Sequence, residues 1–161
     1  MNTYRTYSSD ETKKVGSEVA KKVSSIPSRY FGASKCQVSS RKGAVVLALK
    51  GDLGSGKTTF TQGFLRGLGI RGKAQSPTFV IFKRFALRDL PFTNVYHFDC
   101  YRIKKADELK ILGIKEILEN PKNIVLIEWP ERIKNILPKN IRKIEFKHGK
   151  KENERLIKIA R

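Results

Sequence analysis

Gly51-Asp52-Leu53-Gly54-Ser55-Gly56-Lys57-Thr58 places glycines, a lysine and a hydroxyl at the spacing Gly-x4-Gly-Lys-Ser/Thr, the pattern of a phosphate-binding loop. Glycines permit the tight turn that aims successive backbone N–H groups inward, and the helix that follows adds its positive end. Lys57 can reach the β- and γ-phosphates of a nucleotide, and the Thr58 hydroxyl can ligate Mg²⁺. Thr59 is placed to meet the α-phosphate from the first turn. A chance match in a glycine-rich turn is the plain alternative. It is disfavoured because an apolar run precedes the motif and a helical pattern follows it.

Such a loop needs an acid to hold the metal or orient water. Asp99 closes the run Val95-Tyr96-His97-Phe98-Asp99, and Glu128 closes Asn123-Ile124-Val125-Leu126-Ile127-Glu128. Both fall at carboxyl ends of expected strands, the edge of an open α/β sheet where ligands bind. Asp99 has a competing role as a cap or turn residue, and Glu128 as a solvated strand end. Val95, His97 and Asp99 share one strand face, which brings His97 near the acid. An ordinary half-buried histidine is the commoner reading of His97. With only His97 and His148 in the chain, a dedicated transition-metal site is not expected.

The elements that position these groups follow from periodicity. Residues 10–23 have Val15, Val19 (or Ala20) and Val23 three to four apart and Lys elsewhere, an amphipathic helix capped by Asp10 or Ser9. Residues 24–42 lack periodicity and read as a loop or insertion. Residues 43–49 form a β-branched apolar run, the signature of a strand covered on both faces. Phe60, Phe64 and Leu68 then line one helical face ending near Gly69. Thr78–Phe85 and Phe92–Phe98 read as strands joined near Asp89-Leu90-Pro91. Residues 106–120 read as a helix breakable at Gly113, residues 123–128 as a buried strand, and residues 130–136 as a short helix. Residues 141–146 and 155–160 alternate as an antiparallel hairpin. No internal repeat is visible. The alternation predicts one α/β domain over residues 1–161, with a mostly parallel central sheet flanked by helices and the antiparallel hairpin at one side.

Composition bounds the partners. The 161 residues carry 34 Lys+Arg against 15 Asp+Glu, a net charge of +19, spread along both halves rather than in a tail. A partner with a negative field, such as RNA or an acidic protein, is one reading. A lysine-rich proteome is the other, since 22 of the 34 basic residues are Lys. The longest apolar run, Ala44–Leu49, is far below the ~20 residues of a membrane span, and the first residues lack the apolar core of a secretory signal. Cys36 and Cys100 have no zinc or disulfide spacing, which fits a reducing cytoplasm.

Four blocks taken in order resemble one family. They are the P-loop through Phe60, then Ser76-Pro77-Thr78-Phe79, then His97 to Arg102 (HFDCYR), then Ile127-Glu128-Trp129-Pro130. Together they resemble the TsaE (YjeE) family, bacterial P-loop ATPases required for threonylcarbamoyladenosine in tRNA. The likeness runs from the helix containing Thr12 to the final hairpin. Two departures are Ser55, where the family usually has Ala, and Cys100, where it usually has Leu. Residues 24–42 exceed the family's usual link, so the resemblance says nothing of them.

The resemblance implies that Gly54, Ser55, Gly56, Lys57, Thr58 and Thr59 bind ATP phosphates, with Thr58 and Glu128 on Mg²⁺. It implies that Asp99 is the essential acid that orders water or supports the metal, and that Thr12 contacts the base. Lys57, Asp99 and Glu128 form the expected catalytic set. Ser76–Phe79 resembles a switch segment, or else simply a Pro-bent strand entry. Trp129, the only Trp, is expected to report on the pocket, or else to fill the core. Arg102 is read as a structural salt-bridge partner in preference to a catalytic cation, and Tyr101 as a packed aromatic. The implied partners are TsaD and TsaB, which carry out the transfer while this chain hydrolyses ATP slowly to reset them; tRNA is met directly or through that assembly. The rival readings are a small P-loop kinase, for which the chain shows no arginine-rich lid, and a basic RNA-binding module, for which it shows no stacking aromatics.

Overall fold

The computed structural model describes residues 2–25, 43–70, 81–88 and 90–160. In chain order the elements are β1 (Asn2–Thr6), α1 (Ser9–Ser24), β2 (Val45–Lys50), α2 (Lys57–Gly67), β3 (Phe82–Ala86), β4 (Asn94–Asp99), α3 (Asp107–Lys110), α4 (Ile114–Glu119) and β5 (Asn123–Glu128). A 3₁₀ segment (Pro130–Ile136), β6 (Arg142–His148) and β7 (Arg155–Ile159) complete the fold.

The apolar runs of β2 and β5 are buried along nearly their whole length, as strands with two covered faces must be. They occupy the middle of one seven-stranded sheet of order β1-β7-β6-β2-β5-β4-β3. The four central strands β6, β2, β5 and β4 run parallel. The pairs β3–β4, β6–β7 and β1–β7 are antiparallel. One sheet face meets α1 and α2 through Val15, Val19, Val23, Phe60, Phe64 and the inward side chains of β2 and β5. The other meets the α3–α4 region and the 3₁₀ segment through Leu109, Ile114, Leu118 and Ile133.

The expected α/β architecture holds, with several adjustments. The cap of α1 is Ser8, whose Oγ accepts from the Glu11 N–H at 3.1 Å, rather than Asp10 or Ser9, which lie inside the first turn. Gly113 breaks residues 106–120 into α3 and α4 by adopting a left-handed φ of 70°, a conformation that costs glycine little. The third strand begins at Phe82; residues 78–80 of the expected strand, with the Ser76–Phe79 block, lie outside the described residues. So do residues 26–42, Cys36 and Asp89. The final hairpin does not stand apart, because β6 joins β2 in parallel and β7 receives β1 on its free edge. No pattern in the sequence announced β1, whose five residues are mostly polar and exposed. No helix among the described residues is long and apolar enough to cross a membrane.

Candidate functional site

β2 delivers the chain into the loop Gly51–Gly56, and α2 begins at Lys57. Gly56, which caps α2, holds φ 99°, a left-handed value that a residue with a Cβ rarely adopts. Within this turn the Lys57 ammonium donates to the carbonyls of Gly51 and Asp52 at 2.7 and 2.8 Å. It also stands over the Trp129 ring, 4.3 Å from the centroid. Burial lowers the Lys57 pKa, while the charges of Glu128, Asp99, Glu131 and Asp52 oppose that shift. The lysine is therefore a desolvated cation held by two backbone carbonyls at the mouth of the loop, in the field of nearby carboxylates.

Parallel register sets the acids. Asp99 pairs with Glu128 at the carboxyl ends of β4 and β5, and Glu128 also stands opposite Leu49 at the end of β2. The Thr58 hydroxyl, on the first turn of α2, donates to both Glu128 oxygens at 3.1 Å. On the other side of the same carboxylate, His97 Nε2 donates to Oε1 at 2.9 Å. His97 is fully buried, and its Nδ1 has no hydrogen-bond partner. Because the carboxylate accepts, the imidazole proton belongs on Nε2. Asp99 is only partly buried, and its Oδ1 accepts the Tyr101 backbone N–H at 3.1 Å.

These contacts test whether the residues suit the groups expected there. A hydroxyl and a carboxylate converge as hard oxygen donors, the chemistry Mg²⁺ takes when phosphate oxygens complete its shell. Among the described residues no cluster of three or more His, Cys, Asp or Glu is arranged to hold a metal alone. A cation held by Thr58 and Glu128 would complete its shell with phosphate oxygens and water. Ser55 lies fully buried in the loop with its hydroxyl unpartnered. A buried orphan hydroxyl in a loop of this shape fits a site built to receive further acceptors.

A model of the family described as "Threonylcarbamoyl adenosine biosynthesis protein TsaE" matches residues 6–157. The chain belongs to the TsaE family. A TsaE relative from Haemophilus influenzae is 41% identical over 95 residues, 59% of this chain and 58% of that protein. Its Bacillus subtilis counterpart is 39% identical over 123 residues, 76% of this chain and 74% of that one. The chain thus aligns with little more than half of the Haemophilus protein's length. A crystal structure of YdiB from Bacillus subtilis matches at a TM-score of 0.68 and 31% identity, covering 98% of this chain and 83% of that one.

Seen as a TsaE-family site, the arrangement brings Lys57, Thr58, Glu128 and Trp129 together around the loop, with Asp99 beside Glu128. Thr59 lies partly exposed on the same turn. Thr12 is buried against this region rather than open to it: its hydroxyl bonds the Thr6 hydroxyl at 2.8 Å, and its methyl lies against Gly56. Sequence reading placed His97 near Asp99, whereas its bond is to Glu128, one strand over. Three further contacts had no local signature. His148 Nε2 donates to the Leu53 carbonyl and Arg155 Nε to the Gly54 carbonyl, both at 3.1 Å, so the β6–β7 hairpin braces the loop. Tyr101 packs its ring 5.0 Å from that of Trp129. Only the alternation of β6 and β7 hinted at any of this, by marking a hairpin without saying what it touches.

Proposed function

We propose that this chain binds Mg²⁺ and ATP at the Gly51–Thr59 loop and hydrolyses the γ-phosphate slowly, in support of threonylcarbamoyladenosine formation on tRNA. The single observation that carries the reading is the Thr58–Glu128 contact. It joins the hydroxyl of the phosphate-loop motif to a strand-end acid across 70 residues of chain, as a metal-assisted phosphoryl site requires.

Bound Mg²⁺ would neutralise charge on the phosphate oxygens as the terminal bond breaks. The chain supplies the rest. Loop N–H groups from Gly54 to Thr59 receive the phosphates, and Lys57 exchanges its carbonyl partners for phosphate oxygen. Thr58 and Glu128 offer oxygens to the cation. Asp99, one strand further out and more open, accepts a hydrogen bond from the attacking water and orients it in line. This division between the acids is supported by Glu128 already holding Thr58 while Asp99 faces the loop after β4. Catalysis is then positioning and charge neutralisation. By family resemblance Thr12 would stand near the base; buried beside Gly56 with its hydroxyl on Thr6, it would border that pocket from behind.

The partners that fit this reading are TsaD and TsaB, with transfer of the threonylcarbamoyl group carried out by them and ATP hydrolysis here resetting the assembly. The basic residues of 132–161, among them exposed Lys143 and Lys147, are the first to test for docking to that assembly or to its tRNA. A reducing cytoplasmic setting fits the two lone cysteines. Phosphate release and Mg·ATP calorimetry test the core of the proposal. Wild type should bind Mg·ATP and hydrolyse it slowly, faster with TsaD and TsaB. Thr58→Ala and Glu128→Ala should lose the Mg²⁺-dependent part of binding. Transfer of phosphate to a nucleoside monophosphate, without stimulation by TsaD and TsaB, would defeat it in favour of a kinase.

A further inference from the structure

Trp129 is the only non-glycine residue with positive φ among those described, at φ 59° and ψ 50°. Two local rules oppose that conformation. A bulky side chain is disfavoured in the left-handed region, and the residue before a proline, here Pro130, ordinarily stays extended. Glycine would take these angles without strain. Strained residues persist where the surroundings over-determine them, most often at functional sites. Here the surroundings are specific: the Lys57 ammonium lies 4.3 Å from the indole centroid, and the Tyr101 ring backs the indole at 5.0 Å.

We infer that Trp129 is a positioning residue for Lys57. Its left-handed turn swings the indole out of the strand line of β5 and under the ammonium, adding an aromatic face to the Gly51 and Asp52 carbonyls. Arriving phosphate oxygens replace the two carbonyls, whereas the ring face stays in contact as the ammonium moves between them. The aromatic shelf thereby keeps a flexible four-carbon chain aimed at the loop without competing for its hydrogen bonds. This inference rests on the reading that Lys57 meets phosphate.

The chain contains one Trp, so tryptophan emission reports the surroundings of this one ring, the Lys57 ammonium and the Tyr101 ring among them. In the ligand-free protein, Lys57→Met should change the intensity or maximum of Trp129 emission; an unchanged spectrum overturns the inference. Trp129→Leu should weaken Mg·ATP binding about fivefold, the scale of a partly desolvated cation–π contact, and Trp129→Phe should restore most of it. The decisive arm is the double variant. With Lys57→Met in place, Trp129→Leu should have no further effect on Mg·ATP binding, because the residue it positions is gone. An equal loss in both backgrounds shows the ring acting independently of the lysine and overturns the inference. If Lys57→Met leaves Mg·ATP binding unchanged while altering the emission, the phosphate reading fails and the contact itself stands. Thermal unfolding of each variant separates loss of fold from loss of positioning.

Discussion

Asp99 and Glu128 are the last residues of adjacent parallel strands and stand directly opposite each other across β4 and β5. Equivalent in register, they differ in surroundings. Glu128 is buried between Thr58 and His97, and Asp99 is more open, with the Tyr101 N–H on one oxygen. On the proposed reading, these two surroundings suit the two carboxylates to two tasks.

That asymmetry predicts different losses. Asp99→Asn should leave Mg·ATP binding in place and lower turnover on the order of 100-fold, the usual scale for a lost water-orienting group. Glu128→Gln should weaken Mg·ATP binding itself and have little effect on binding without the cation. Calorimetry with and without Mg²⁺, beside phosphate release, checks both. The same profile from both variants would show the acids sharing one role.

His97 reaches Glu128 from within the core, with no exposed surface of its own. His97→Ala leaves a buried carboxylate short of a donor, so it should destabilise the fold by about 2–3 kcal/mol. His97→Gln, which keeps an N–H donor of similar reach, should recover part of that. Urea denaturation of the three proteins measures it, and an alanine variant as stable as wild type would show the bond to be energetically idle.

Glu154 supplies a pH dependence at the far end of the loop brace. Its carboxylate accepts the Lys150 and Lys151 backbone N–H groups at 2.7 and 3.1 Å and pairs with Arg5 at 3.3 Å. The Lys151 N–H first, then that of Lys150 and the Arg5 charge, lower its pKa below the usual carboxylate value, against an opposing effect of burial. A carboxylate depressed by folding contributes stability above its unfolded pKa of about 4.3 and loses it as pH falls through the lower folded value. Wild type should therefore lose more thermal stability than Glu154→Gln between about pH 5 and pH 3. Parallel melting curves across that range would contradict this.

Cys100 follows Asp99 and is fully buried. Burial, then the charges of Asp99, Glu128 and Glu131, push its thiol up to about 12. The thiolate is the reactive form, so in a Cys36→Ser background iodoacetamide at pH 8 should label the native protein negligibly and the urea-unfolded protein readily. Mass spectrometry reads the difference. Rapid labelling of the native form would show Cys100 to be open.

Much of the site was legible because its chemistry is local. The glycine–lysine–threonine spacing fixes the loop, and the runs ending in Asp99 and Glu128 fix two strand ends. What escaped depends on distant neighbours. The Asn2–Thr6 strand carries too few apolar residues to show a pattern, and it exists because β7 offers an edge some 150 residues away. His97 shares a strand face with Asp99, yet register across β4–β5 decides that it bonds Glu128. The left-handed turn at Trp129 breaks two local preferences, so no local rule could forecast it. The bonds of His148 and Arg155 to the loop carbonyls join residues about 100 positions apart.

On the proposed function, Lys57, Asp99 and Glu128 turn over ATP so that threonylcarbamoyladenosine formation on tRNA can repeat. The direct measurement is modified tRNA formed per TsaD–TsaB assembly over several rounds, with this chain as wild type or as Lys57→Ala, Asp99→Ala or Glu128→Ala. Wild type should sustain repeated rounds, and each variant should stop the cycle while the first round proceeds. Three variants that cycle like wild type would contradict the account.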